Sequence, residues 1–159
     1  MTYGQILAEV GTSKWQPEFI WVDSVEECAD LINQPHEDYP HGVMGTIDMI
    51  RHFAGSPMMR WSDAQNIQKY VYESKNDGTY LNLGMRQCTV KVGGWKPPES
   101  LFLADLIDFI FPAFRHHNLE GWYKIFQTIH PFEDLNGRVG GIILASLSFD
   151  GTHYLTVKR

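Results

Sequence analysis

Nine consecutive residues, His130 to Arg138 (HPFEDLNGR), gather a histidine, an aromatic ring, carboxylates, an amide and an arginine just ahead of a glycine-containing apolar stretch. A histidine near neutral pKa can take a proton, an aspartate can hold a hard cation, and an arginine can grip phosphate oxygens. Asn136 and Gly137 fall where a helix is expected to begin, and the unpaired N–H groups of a helix start point into the same small volume. Base, metal ligand and anion cradle side by side point to phosphate-linked group transfer.

Other chemistry-bearing residues lack such company. A lone histidine at a helix end is usually structural; for His130 the ordered neighbours overturn that reading. His116 and His117 are adjacent, so on a helix they face different sides, and they read as a solvated surface. His36 and His41, beside Glu37 and Asp38, sit in a loop and are not read as a metal site. Cys28 and Cys88 are far apart with no CxxC spacing, which fits buried free thiols in a reducing compartment.

The elements that must position the nine residues follow from periodicity and caps. Asn118 caps a helix over Leu119–Ile129, which delivers His130 at its end. After the motif loop, Gly137–Phe149 resumes as an apolar helix, and Gly140-Gly141 within it implies close backbone approach. Upstream, a helix over Glu99–Phe111 ends at Pro112. Gly84–Pro98 reads as a small hairpin, with Cys88, Val90 and Val92 alternating against Gln87, Thr89 and Lys91 and Gly93-Gly94 as the turn. Arg86, Lys91 and Lys96 on it read as solvated.

Further out, Ser24 and Glu27 form a capping box for a helix over Ser24–Asn33, and Val43–Phe53 is apolar at helical spacing until Gly55-Ser56-Pro57 stops it. Ser62 and Asp63 can cap a helix with Ile67, Tyr70 and Val71 on its apolar side, broken at Lys75–Gly78. Gln34–Gly42 is a loop, Glu18–Val22 a short strand, and Thr152–Arg159 a terminal strand or tail.

The 159 residues suit one mostly α domain, 1–159, that buries a core without metal or disulfides. Net charge is −6 with no basic block, which argues against nucleic acid as a partner. No apolar run approaches the roughly 20 residues of a membrane span and the start lacks a signal-peptide pattern, so a cytoplasmic protein without membrane contact is expected.

HPFEDLNGRVGG resembles the active-site signature of the Fic (Fic/Doc, or Fido) family: His-Pro-Phe, any residue, Asp or Glu, Gly or Ala, Asn, Gly or Lys, Arg, two residues, Arg. The match is ordered and gapless. Gly84-Met85-Arg86, the alternating segment, Gly93-Gly94 and Pro97-Pro98 look like the family's flap. The resemblance covers residues 43–147 and leaves 1–42 outside. It implies a helical Fido fold that transfers AMP from ATP to a Tyr, Thr or Ser hydroxyl of a target protein. In that scheme His130 is the general base and Asp134 holds Mg²⁺. Asn136, Gly137 and Arg138 bind phosphate, Phe132 anchors the loop, and Glu133 faces solvent. Cys88, Thr89, Val90 and Lys91 of the flap would pair by main-chain bonds with an extended target segment.

Two positions depart from the pattern. Leu135 stands where the family has Gly or Ala and crowds a place of ligand approach, and Gly141 stands where its second arginine grips the outer phosphates of ATP. Losing that arginine removes a contact worth about 1.5–3 kcal/mol. The alternatives to adenylyl transfer are therefore a Doc-like protein kinase, transfer of another phosphate-linked group, or a non-catalytic binding module. The family's inhibitory helix motif is not matched: the nearest run, Ser146–Gly151, carries Asp150 for glutamate and reads as chance. Restraint then falls to a separate inhibitor, self-association or low activity.

Overall fold

The computed structural model describes residues 2–12, 16–34, 42–75, 83–92 and 95–158. In chain order the elements are α1 (Tyr3–Thr12), β1 (Glu18–Val22), α2 (Val25–Asn33), α3 (Val43–Phe53), β2 (Met58–Met59) and α4 (Trp61–Lys75). A 3₁₀ turn (Ser100–Phe102), α5 (Leu103–Ile110), β3 (Ala113–Phe114), α6 (Leu119–Ile129), α7 (Asn136–Ser148) and β4 (Tyr154–Lys158) follow. The fold is mostly helical, with two small antiparallel strand pairs among the described residues. No helix among the described residues is long and apolar enough to cross a membrane.

α7 is the axis. From Asn136 to Ser148 every residue but the half-buried Gly137 is buried, as expected of a helix apolar all round. α2, α3, α4, α6 and β4 surround it. Gly140 makes this crowding achievable against α6: a Cβ there would stand 2.4 Å from Gln127 Nε2 and 3.0 Å from Phe126 Cδ1.

The sheets join segments distant in sequence. β1 pairs antiparallel with β4, Glu18 opposite Lys158 and Val22 opposite Tyr154, so the terminal stretch is a strand rather than a tail. β2 pairs with β3, Met58 opposite Phe114. One hydrophobic cluster runs from Ile6 through Cys28 and Ile50 to Leu147, so the elements before residue 43 share the core of those after it. Burial raises the Cys28 thiol to about 12, leaving it unreactive.

Local caps place the helices. Ser24 Oγ accepts from Glu27 N at 3.1 Å and donates to Glu26 Oε2 at 3.1 Å. Asn118 Oδ1 accepts from Gly121 N at 3.0 Å. Asp63 works from inside α4, its Oδ2 accepting from Arg60 N at 2.8 Å. Tyr70, expected on the apolar side of α4, lies outward and donates to Asp48 Oδ2, while Gln68 is fully buried. Most of the Gln34–Gly42 loop and the Gly93-Gly94 turn lie outside the described residues.

The Gly84–Pro98 hairpin is much reduced. Gln87 to Lys91 form no strand, and Val92 and Trp95 make a single antiparallel bridge. Cys88, expected to be a buried thiol, is exposed, as is Thr89, and neither pairs with a strand among the described residues. Met85 instead bridges to Phe132.

Candidate functional site

α6 ends where the nine-residue motif begins. His130 is its C-cap, in the left-handed conformation at φ 53°, a turn that lifts the chain off the helix axis. Its backbone N still donates to Phe126 O at 3.0 Å. Five residues on, Leu135 also takes a left-handed conformation, φ 73°, and starts α7. Two reversals therefore bracket the loop from Pro131 to Asp134.

Phe132 fastens that loop from below. It is fully buried, stacked on Trp61 with centroids 4.8 Å apart, and tilted against Phe126 at 6.4 Å. Glu133 and Asp134 are exposed beside it. Leu135 is 2% exposed and belongs to the hydrophobic core, so its side chain packs inward and does not crowd a ligand space.

Buried polar side chains hold the loop backbone. Asn136 Oδ1 accepts from Phe132 N and its Nδ2 donates to Phe132 O, both at 2.9 Å, closing the loop on itself. Gln127 Nε2 donates to Asn136 O at 3.0 Å. Gln68 joins two segments, donating to Asp134 O at 3.2 Å and accepting from Gly84 N at 2.8 Å.

Arg86 is the largest correction to the sequence reading. Expected in solvent, it is 1% exposed, and its guanidinium donates to His130 O at 2.6 Å, Cys88 O at 2.9 Å, Ile129 O at 3.2 Å and Pro98 O. Helix-end carbonyls lack partners inside the helix, and a guanidinium's fan of N–H donors suits them. Nothing in the local sequence distinguishes Arg86 from a surface cation. Its partners lie up to 44 residues away.

Electrostatics favour a neutral imidazole. Burial pushes the pKa of His130 below the ordinary value, and the Arg86 cation adds to this; the Gln127 carbonyl and the Asp134 carboxylate oppose it. Nδ1 of His130 is buried and has no hydrogen-bond partner among the described residues. A neutral ring is the form that accepts a proton.

Asp134 Oδ1 accepts from its neighbour Leu135 N at 2.8 Å, an anchorage that fixes the carboxylate and leaves Oδ2 for another partner. No cluster of three or more metal-ligating side chains occurs among the described residues.

The phosphate-binding candidates divide. Gly137 is half-buried at the first turn of α7, whereas Asn136 and Arg138 are 2% and 3% exposed. Asn136 is committed to Phe132. Arg138 reaches toward the start of α3, where a Cβ on Gly42 would lie 3.0 Å from Nη1 and 2.4 Å from Asn33 Oδ1. Gly141 faces α2: a Cβ there would lie 3.1 Å from Ile32 Cγ1. Leu31, Tyr123, Gly137, Thr156 and Val157 complete that enclosure, leaving about 10 Å³.

The flap candidates Cys88 and Thr89 are exposed, as is Lys91, and Val90 is half-buried. Arg86 and Gln68 tie their segment to the motif loop. No protein-family model matches this sequence, and no curated protein matches it either.

Proposed function

We propose that this chain transfers a phosphate-linked group, the adenylyl group of ATP being the leading candidate, to a hydroxyl side chain of a target protein. The observation that carries the reading is the placement of His130: a desolvated imidazole on a left-handed turn, next to an anchored Asp134 and the start of α7, with the 84–92 segment bridged to the same loop.

In this reading His130 accepts the proton of the target hydroxyl as its oxygen attacks the α-phosphorus of ATP and the bond from that phosphorus to the departing pyrophosphate breaks. Such proton-transfer help is worth on the order of 10²–10⁴-fold. Asp134 would hold Mg²⁺, which when bound neutralises phosphate charge. The first-turn N–H groups of α7 are the anion cradle, since helix starts favour negative charge. Asn136 then supports the cradle indirectly, by keeping the Phe132 backbone in place, and the 87–91 segment, exposed but for the half-buried Val90, is where a target strand would lie.

The packing of Gly141 against Ile32 favours a second reading. The face of α7 that carries the family's second arginine is closed here by α2 and β4, so the outer phosphates of ATP need another holder. A Doc-like kinase or a donor of a different phosphate-linked group fits that closure. The experiment is incubation with Mg²⁺, cell lysate and ATP labelled at the α or the γ phosphate. Label from α alone supports adenylyl transfer, from γ alone the kinase. If neither labels protein and His130→Ala leaves every cellular effect unchanged, the chain is a non-catalytic binding module.

A further inference from the structure

All the hydrogen-bond partners of the buried Arg86 guanidinium are backbone carbonyls, and they belong to two different parts of the chain. Ile129 O and His130 O are the last acceptors of α6; Cys88 O and Pro98 O stand at the two ends of the flap segment. The backbone N of Arg86 adds a bond to Pro131 O at 2.9 Å, and its neighbour Met85 bridges to Phe132. One residue thus bonds both sides of the seam between residues 85–98 and 129–132.

We infer that Arg86 is a positioning residue that makes the flap segment and the His130 loop one cooperative unit, so that a target strand seated on the segment meets the imidazole in fixed register. As a statement about catalysis this rests on the transferase reading; as a statement about mechanical coupling it does not. Lysine cannot substitute, because a single ammonium on a flexible stem has no planar fork to span carbonyls on opposite sides. Burying the cation without a carboxylate partner is tolerable only while those carbonyls stay paired. Loosening either side therefore releases the other.

Native-state hydrogen exchange tests the coupling. The amides of Gly84 and Arg86 report the flap side, and those of His130 and Phe132 the loop side, each being hydrogen-bonded. In the unaltered protein both sets are expected to open with one free energy and one denaturant dependence. In Arg86→Lys both are expected to exchange about 10–100-fold faster, while Cys28 and Ala54 amides, bonded in α2 and α3, keep their protection. Distinct denaturant dependences in the unaltered protein overturn the inference, as does loosening of one set alone or of the whole molecule alike. Should Arg86→Lys fail to fold, the unaltered protein decides by itself. In the labelled-transfer assay, kcat is expected to fall with KM for ATP little changed; a raised KM with kcat intact overturns the positioning role. Absence of any transfer by the unaltered protein removes the catalytic reading and leaves the exchange result standing.

Discussion

The N-terminal turn of α7 and the body of the same helix are held by opposite means. Around the turn, buried polar side chains grip backbone: Asn136 holds Phe132, Gln127 holds Asn136, Gln68 holds Asp134, and Arg86 holds His130. Along the body, Val139, Ile142, Ile143 and Leu147 are fully buried, and glycines let α6 and α2 approach. Hydrogen bonds are directional and fix where atoms stand, whereas apolar packing follows area and seals surface. A loop placed by polar clamps can therefore stay rigid while Glu133 and Asp134 remain exposed. The body is sealed and offers no reactive surface.

The largest break in this contrast comes from the proposed base, His130. His130→Ala is expected to lower transfer by on the order of 10²–10⁴-fold, measured as initial rate with labelled ATP, with little change in thermal melting. The acid limb of the pH–rate profile should fall below 6.5, the ordinary histidine value, because burial favours the neutral ring. The linkage sign agrees. With its pKa depressed in the fold, His130 binds fewer protons than in the unfolded chain, so its contribution to stability is present above 6.5 and is lost as pH falls.

Asn136→Ala attacks a clamp. It leaves the N–H and C=O of a buried Phe132 without partners, and unfolding by denaturant should show a loss of about 2–4 kcal/mol. Asn136→Asp keeps the acceptor and loses the donor, so it should fall between. The body should respond differently. Gly141→Arg adds a charge at that face but drives a side chain into Ile32, and a loss of about 1–3 kcal/mol with no gain in transfer is expected. A stable, more active Gly141→Arg would mean that α2 yields at that face to admit a nucleotide.

The two modes of holding also divide what the sequence could disclose. α3, α6 and β1 have the boundaries that periodicity and caps mark, since an apolar stripe, an Asn118 cap or a β-rich run is decided by neighbouring residues. α7 was legible as a buried helix for the same reason, expected over Gly137–Phe149 and found over Asn136–Ser148. The clamps were not. Gln68 and Arg86 look like surface residues in any local window, and their partners arrive from 66 and 44 residues away. The alternating segment misled in the other direction: period-2 patterning needs a partner strand, and the Cys88 carbonyl pairs with Arg86 instead. His130, Asp134 and Gly137 could be placed near one another because they are close in sequence. The commitment of Asn136 to loop closure, and the inward turn of Leu135, depend on backbone dihedrals that residue identity does not encode.

Leu135 gives the finest test, because at that position packing and backbone strain oppose each other. Its side chain belongs to the core, yet φ 73° is a conformation that L side chains resist. Leu135→Ala removes the packing and keeps the strain. Leu135→Gly removes slightly more side chain and also releases the strain. Burial alone ranks Gly as the worse substitution, whereas backbone preference ranks it better by about 1 kcal/mol. Denaturant unfolding is expected to find Leu135→Gly the more stable of the two. The reverse order would mean that the start of α7 is held by packing like its body, and that the loop does not depend on the left-handed turn.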